Sequence, residues 1–187
     1  KFGKYNSSVG PFIRGNLALS RFIPSFPQLN IQYRSSDNWE FTFITGELFS
    51  GIPDETFGLL NEPSQSNRFF NLNRYIAHHR LDLIFSRQFR LGFYEQVIFG
   101  GRSYPVTYLN PFQLYWSAQH EQGDLGNVQM GFDLDLLFPE GRFSFAFLMD
   151  EWAPYSTLDM DNHRNWFAVQ TGFSKRTLIK NIPTFIR

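Results

Sequence analysis

The sequence predicts an all-β protein, an antiparallel β-barrel of the bacterial outer membrane, and three observations support this prediction. Apolar and polar residues alternate along most of the chain. Aromatic residues make up 19% of the 187 residues, and 23 residues are phenylalanine, yet the mean hydropathy is slightly negative. Short and long connections take turns between the alternating segments. A barrel in lipid accounts for all three, because every second side chain faces hydrocarbon and because short periplasmic turns alternate with long outer loops.

The alternation is clearest from Val128 to Phe138, where the even positions are apolar and the odd positions include Asp133 and Asp135. Period two over this length predicts a strand with one apolar and one polar face. The same pattern predicts strands at 29–34, 39–43, 74–86, 142–150 and 167–173, a strand at 91–100 that is apolar on both faces except at Glu95 and Gln96, and a weak one at 11–19. We therefore expect eight or nine strands in residues 1–187, a single β-barrel domain that is an excerpt of a longer barrel. A soluble barrel or sandwich is the alternative.

The connections predict which ends of the strands lie together. Short turns are expected at 35–38, 87–90, 139–141 and 174–176, and long loops at 50–73, 101–127 and 152–165. In an outer-membrane barrel the short turns share the periplasmic side, and the long loops share the outer side.

The long loop 101–127 contains a predicted helix. Asn110 is a good N-cap, and Pro111 suits the first helical position. An aromatic stripe with helical spacing follows, at Phe112, Tyr115, Trp116 and Gln119, and Gly123 is a plausible stop. We expect a helix over 110–119 whose aromatic face lies either in the barrel lumen or against neighbouring loops.

Several classes of function are disfavoured by the composition. No apolar run is long enough for a transmembrane helix, and zero net charge argues against nucleic acid as a partner. The chain has no cysteine, so disulfides and thiolate metal sites are excluded. His78 and His79 are neighbours on a strand and point to opposite faces, which argues against a shared metal. We expect no enzyme activity, no metal and no cofactor.

Asp133 and Asp135 could suggest the paired carboxylates of a glycosidase, because they share one face of their strand. We prefer the interpretation that they belong to a solvated ladder of charges in the lumen, with Arg80 and Arg102 as counter-charges. His78 is expected to make a hydrogen bond in that lumen, and His79 to lie at the membrane interface.

Four runs of residues in order resemble the capsule-assembly Wzi family of outer-membrane β-barrels: 74–81 (RYIAHHRL), 92–102 (GFYEQVIFGGR), 108–112 (YLNPF) and 131–135 (GFDLD). The resemblance covers residues 74–152. It implies a large monomeric barrel in the outer membrane that binds surface polysaccharide, or helps to assemble or attach it, without acting as an enzyme.

Two functions follow as expectations: a barrel that binds or assembles capsular or exopolysaccharide, and a porin-like diffusion channel for small solutes. Aromatic faces stack on sugars, and charged or amide groups bind hydroxyls. The candidate ligand-binding residues are Arg80, Glu95, Arg102, Tyr108, Asn110, Tyr115, Trp116, Asp133 and Asp135. The expected partners are the lipid bilayer and the polysaccharide.

Overall fold

The computed structural model describes residues 1–35, 37–52, 71–100, 104–121, 123, 126–150, 166–179 and 182–186. These residues form one antiparallel sheet of nine strands in sequence order. The strands are β1 (Phe2–Tyr5), β2 (Phe26–Ser35), β3 (Trp39–Leu48), β4 (Arg74–Ile84), β5 (Phe89–Gly100), β6 (Gly126–Phe138), β7 (Gly141–Asp150), β8 (Trp166–Ile179) and β9 (Ile182–Ile186). The prediction of an antiparallel all-β protein is confirmed. The described strands form an open sheet, with β1 and β9 at its edges.

Two helical segments follow β5, a 3-10 turn at Val106–Leu109 and helix α1 at Tyr115–Glu121. Within the described residues, neither segment has the length and apolar character that a membrane-crossing helix needs.

The predicted turn at 174–176 is wrong. Strand β8 runs on to Ile179, and Lys175 pairs with Gly141 of β7 on one side and with Ile186 of β9 on the other. The polar residues Lys175 and Arg176 are typical of a turn, but here the backbone of Lys175 is paired with a neighbouring strand on each side. Residues 180–181, between β8 and β9, lie outside the described residues.

The weak strand predicted at 11–19 is also wrong. Only an isolated bridge between Val9 and Leu19 forms there. The turn predicted at 87–90 lies two residues earlier, at 85–88, because the Ser86 hydroxyl accepts hydrogen bonds from the amides of Gln88 and Phe89, both at 3.1 Å. The predicted long loops 50–73 and 152–165 lie largely outside the described residues, whereas most of the loop 101–127 is described.

The pairing registers give the sheet two chemically different faces. One row across β2–β8 is wholly apolar or aromatic and contains Tyr33, Phe41, Leu81, Phe93, Phe132, Phe147 and Val169. The adjacent row contains Arg34, Glu40, Asp82, Gly92, Asp133, Ala146 and Gln170. Because successive side chains on a strand point to opposite faces, we call the first the apolar face and the second the polar face. The prediction that Asp133 and Asp135 share a face opposite Phe132 is confirmed.

The connection between β1 and β2, residues 6–25, lies across the polar face, and we call it the strap. Its backbone carbonyls accept hydrogen bonds from three strands: Ala18 from Gln96 of β5 at 3.1 Å, Pro11 from Arg142 of β7 at 2.6 Å and Gly15 from Gln170 of β8 at 2.9 Å. The base of the strap is apolar and packs in one buried cluster composed of Val9, Leu19, Phe26, Ile44 and Ile76. The strap is therefore a docked element rather than a loose loop.

Candidate functional site

The centre of the polar face is a buried ion-pair network around Arg80. Its guanidinium donates to both oxygens of Asp133, at 2.5 and 2.7 Å, and to both oxygens of Asp82, at 2.9 and 2.6 Å. The three residues are only 2–5% exposed. Two bidentate carboxylates satisfy most of the guanidinium donors, which is the geometry that makes a buried arginine tolerable.

Gly92 explains how the guanidinium reaches both carboxylates. It lies in register between Asp82 and Asp133 on the polar face. A Cβ atom at Gly92 would come within 1.9 Å of the Arg80 Nη2 atom, so any side chain there would displace the guanidinium. The glycine thus provides the space in which Arg80 lies flat against the sheet.

The network continues towards solvent through two further arginines. Arg90 donates to Asp82 at 3.0 Å and lies 3.7 Å from a carboxylate oxygen of Glu40. Arg142 donates to Asp135 at 2.6 Å. The predicted solvated ladder is therefore wrong in one respect, because Asp133 and Arg80 are buried. Asp135 is paired with Arg142, while Arg102 lies outside the described residues.

The two histidines lie on opposite faces, as predicted. The His78 Nδ1 atom, on the polar face, lies 3.2 Å from the Gln96 side-chain oxygen, which confirms its predicted hydrogen bond. The predicted position of His79 at the membrane interface stays a prediction. Its ring is stacked against Tyr115 of α1, with centroids 4.5 Å apart.

A pocket of about 200 Å³ lies between the strap and the network. Its lining comes from the strap and from six successive strands, with Ser8, Val9, Gly10, Pro11, Gln32, Glu40, Thr42, Arg80, Asp82, Arg90, Asp133, Asp135 and Arg142. In a flat sheet, β2 and β7 would be about 24 Å apart. Side chains of both strands border this one small pocket, so the sheet curves, with the polar face on the inside.

Helix α1 packs on the apolar face of the sheet, and Tyr115 also packs against Tyr108 of its own loop, with ring centroids 5.7 Å apart. Tyr115 and Ala118 of the helix share a buried cluster with Ala77, Val97 and Val128 of the sheet. The helix also starts later than predicted, at Tyr115. Asn110 makes a local turn instead, accepting a hydrogen bond from the Phe112 amide at 3.1 Å. Gly123, at φ +83°, follows the helix end as predicted.

Glu95 explains the late start of α1. Its two carboxylate oxygens accept hydrogen bonds from the amides of Tyr115 at 2.9 Å and Trp116 at 2.7 Å. His79 lies 3.2 Å from the same carboxylate. A negative charge that binds the free amides of the first turn stabilises a helix start. Glu95 was predicted as a ligand-binding residue. In the structure, both of its carboxylate oxygens are hydrogen-bonded to amides of α1.

The aromatic candidates differ in accessibility. Tyr108 and Tyr115 are fully buried, and Trp116 is 37% exposed. Burial raises the pKa of the Tyr115 hydroxyl, which keeps the phenol neutral. Neither tyrosine offers an open ring face on which a sugar could stack. All the aromatic candidates lie on the opposite face of the sheet from Arg80, Asp133 and Asp135.

Removing the Glu95 carboxylate is expected to undock α1. Glu95→Ala leaves the amides of Tyr115 and Trp116 without their acceptor. Each amide that stays buried and unbonded would destabilise the docked helix by about 1–3 kcal/mol. The helix should detach instead, and the amides of residues 115–121 should lose protection in hydrogen exchange monitored by mass spectrometry. Asn110→Ala is the matched control and should leave that protection intact. Equal deprotection in both variants would show that Asn110, not Glu95, holds the helix start.

Sequence reasoning missed Asp82, Arg90, Arg142, Gly92 and the strap. Alternation does place Asp82 on the face of Arg80, so this partner could have been found. The described parts of the runs that resemble the Wzi family lie in β4, β5 and β6 and before α1. No family model, no curated protein and no solved structure matches this chain, so the resemblance to the Wzi family stays a prediction.

Proposed function

We propose that this chain forms part of the wall of an outer-membrane β-barrel and that its polar face holds a surface polysaccharide. The observation that carries this proposal is the curvature of the sheet, with charged and amide side chains on the inside and an apolar face outside, which α1 covers only over part of β4–β6. A bilayer barrel needs this arrangement of its two faces.

Exposure of the apolar face supports the placement in lipid. In the row defined above, Tyr33 is 58% exposed, Phe93 46% and Val169 61%. The segment before α1 continues this surface outward, with Phe112 79% and Leu114 65% exposed. Soluble proteins rarely leave so large a contiguous apolar surface in water. Hydrocarbon is the solvent that suits it.

The strap pocket supports a polar, hydroxyl-rich ligand. Its lining combines carboxylates, guanidinium groups, one amide and two hydroxyls. Arg90 and Arg142 are the two cations there that are not enclosed, with side chains 41% and 29% exposed. Arginine and carboxylate groups bind sugar hydroxyls through directional hydrogen bonds. We therefore assign polysaccharide contacts to the polar face, and the resemblance to the Wzi family points to the same ligand class.

Replacing the two accessible arginines should release polysaccharide from cells. In Arg90→Gln with Arg142→Gln, the barrel should still fold, because the buried pairs of Arg80 with Asp82 and Asp133 keep all four of their hydrogen bonds. Cells should shed several-fold more polysaccharide into the medium than wild type. The measurement compares cell-bound with shed polysaccharide, and heat-modifiable electrophoretic mobility reports folding.

Arg87→Gln is the matched control, since Arg87 is exposed in the short turn between β4 and β5. It should retain polysaccharide like wild type. Wild-type retention by the folded double variant would contradict the assignment of polysaccharide contacts to the strap pocket.

A diffusion channel is the second candidate, since the polar face carries charges of both signs. The strap argues against a wide passage along this part of the wall, because it lies across that face.

A further inference from the structure

We infer that the tip of the strap, residues 10–18, is a constriction that restricts passage through the barrel. This inference rests on the proposed barrel, and it adds a permeability role to the proposed binding role. In this proposal the strands enclose the lumen, and the tip blocks part of its cross-section.

The tip is built as a compact unit. Val9 donates its backbone N–H to the Leu19 carbonyl at 2.9 Å, which closes the two ends of the tip. Inside it, the Asn16 side chain accepts from the Phe12 amide at 2.8 Å and donates to the Ser8 hydroxyl at 3.0 Å. Asn16 is 9% exposed. A loop whose ends are tied and whose interior is bonded keeps its shape over an opening.

The attachments of the tip reach across the sheet. The strap is held at one end by Ser7, whose hydroxyl donates to Gln28 of β2 at 2.5 Å. At its tip, Gly15 accepts a hydrogen bond from Gln170 of β8, and the Phe12 ring lies where a side chain at Gly172 would be. Strands β2 and β8 are six places apart in the sheet. Because the sheet curves around its polar face, a segment that joins them crosses the enclosed space.

The sequence fits this role. The strands supply amide and guanidinium donors at the three attachment points, and backbone carbonyls of the tip accept these hydrogen bonds. Such contacts need no particular side chain on the tip. Gly172 has no side chain, which leaves room for the Phe12 ring against β8.

Shortening the tip should open the channel. Because Val9 and Leu19 are already bridged, residues 10–18 can be replaced by Asn-Gly, a sequence that favours a tight hairpin turn. The purified full-length barrel should then show a several-fold higher single-channel conductance in planar bilayers than wild type. Arg87→Gln should show the wild-type conductance.

A second variant keeps the length of the strap and releases its tip from β8. Phe12→Ser with Gln170→Ala should raise the conductance in the same direction, by less, and it carries the test if the shortened protein does not fold. Wild-type conductance in the folded variants would overturn the inference. Failure of the barrel proposal would look different, since wild type itself would then show no heat-modifiable mobility and no insertion into bilayers.

Discussion

Replacing Arg80 with leucine is expected to lower the free energy of unfolding by about 3–5 kcal/mol, the range seen when one partner of a buried ion pair is removed. Arg80 is the shared partner of Asp82 and Asp133, and all three are nearly inaccessible to water. Its loss leaves two buried carboxylates side by side. The measurement is denaturant unfolding of the protein in lipid vesicles, followed by tryptophan fluorescence.

Arg34→Leu is the matched control for Arg80→Leu. Arg34 also pairs with a carboxylate on the polar face, that of Glu40, but its side chain is 58% exposed. An exposed pair contributes about 0–1 kcal/mol. Adding Asp82→Leu and Asp133→Leu to Arg80→Leu should recover part of the lost stability, because the buried charges are then gone. A loss below about 1 kcal/mol in Arg80→Leu would mean that water reaches the network.

The strands were predictable because their signal is local. Alternation at Val128–Phe138 depends only on neighbours in sequence, and it identifies both the strand and its two faces. The pairing of Arg80 with Asp133 was partly predictable, since the pattern places both on the polar face. Their burial was not, because it depends on Gly92 and on the strap, which are distant in sequence.

The helix and the strap could not be predicted for a related reason. Asn110-Pro111 is a sound local start signal, yet the carboxylate of Glu95 on a neighbouring strand fixes the first turn of α1 five residues later. The strap has no period of its own. Its position follows from donors on β5, β7 and β8, which no local pattern reveals.

Introducing arginine at Val169 is expected to destabilise the protein by roughly 2–4 kcal/mol if this face lies in the middle of a bilayer. Val169 belongs to the apolar row and is 61% exposed, so in water an arginine would meet no steric obstacle there. An exposed substitution in a soluble sheet changes stability by about 0.5 kcal/mol or less. The two environments therefore predict well-separated results for one variant.

Val169→Leu is the control, since leucine keeps the site apolar and should be nearly neutral in either environment. Unfolding is measured in vesicles of fixed lipid composition, so that only the side chain differs between samples. A loss within about 0.5 kcal/mol for Val169→Arg would place this face in water. That result would contradict the proposed placement in a membrane, but it would not affect the curved sheet or the Arg80 network. A loss in the larger range would come from the cost of a charge in hydrocarbon, because Val169 is too exposed for lost packing to account for it.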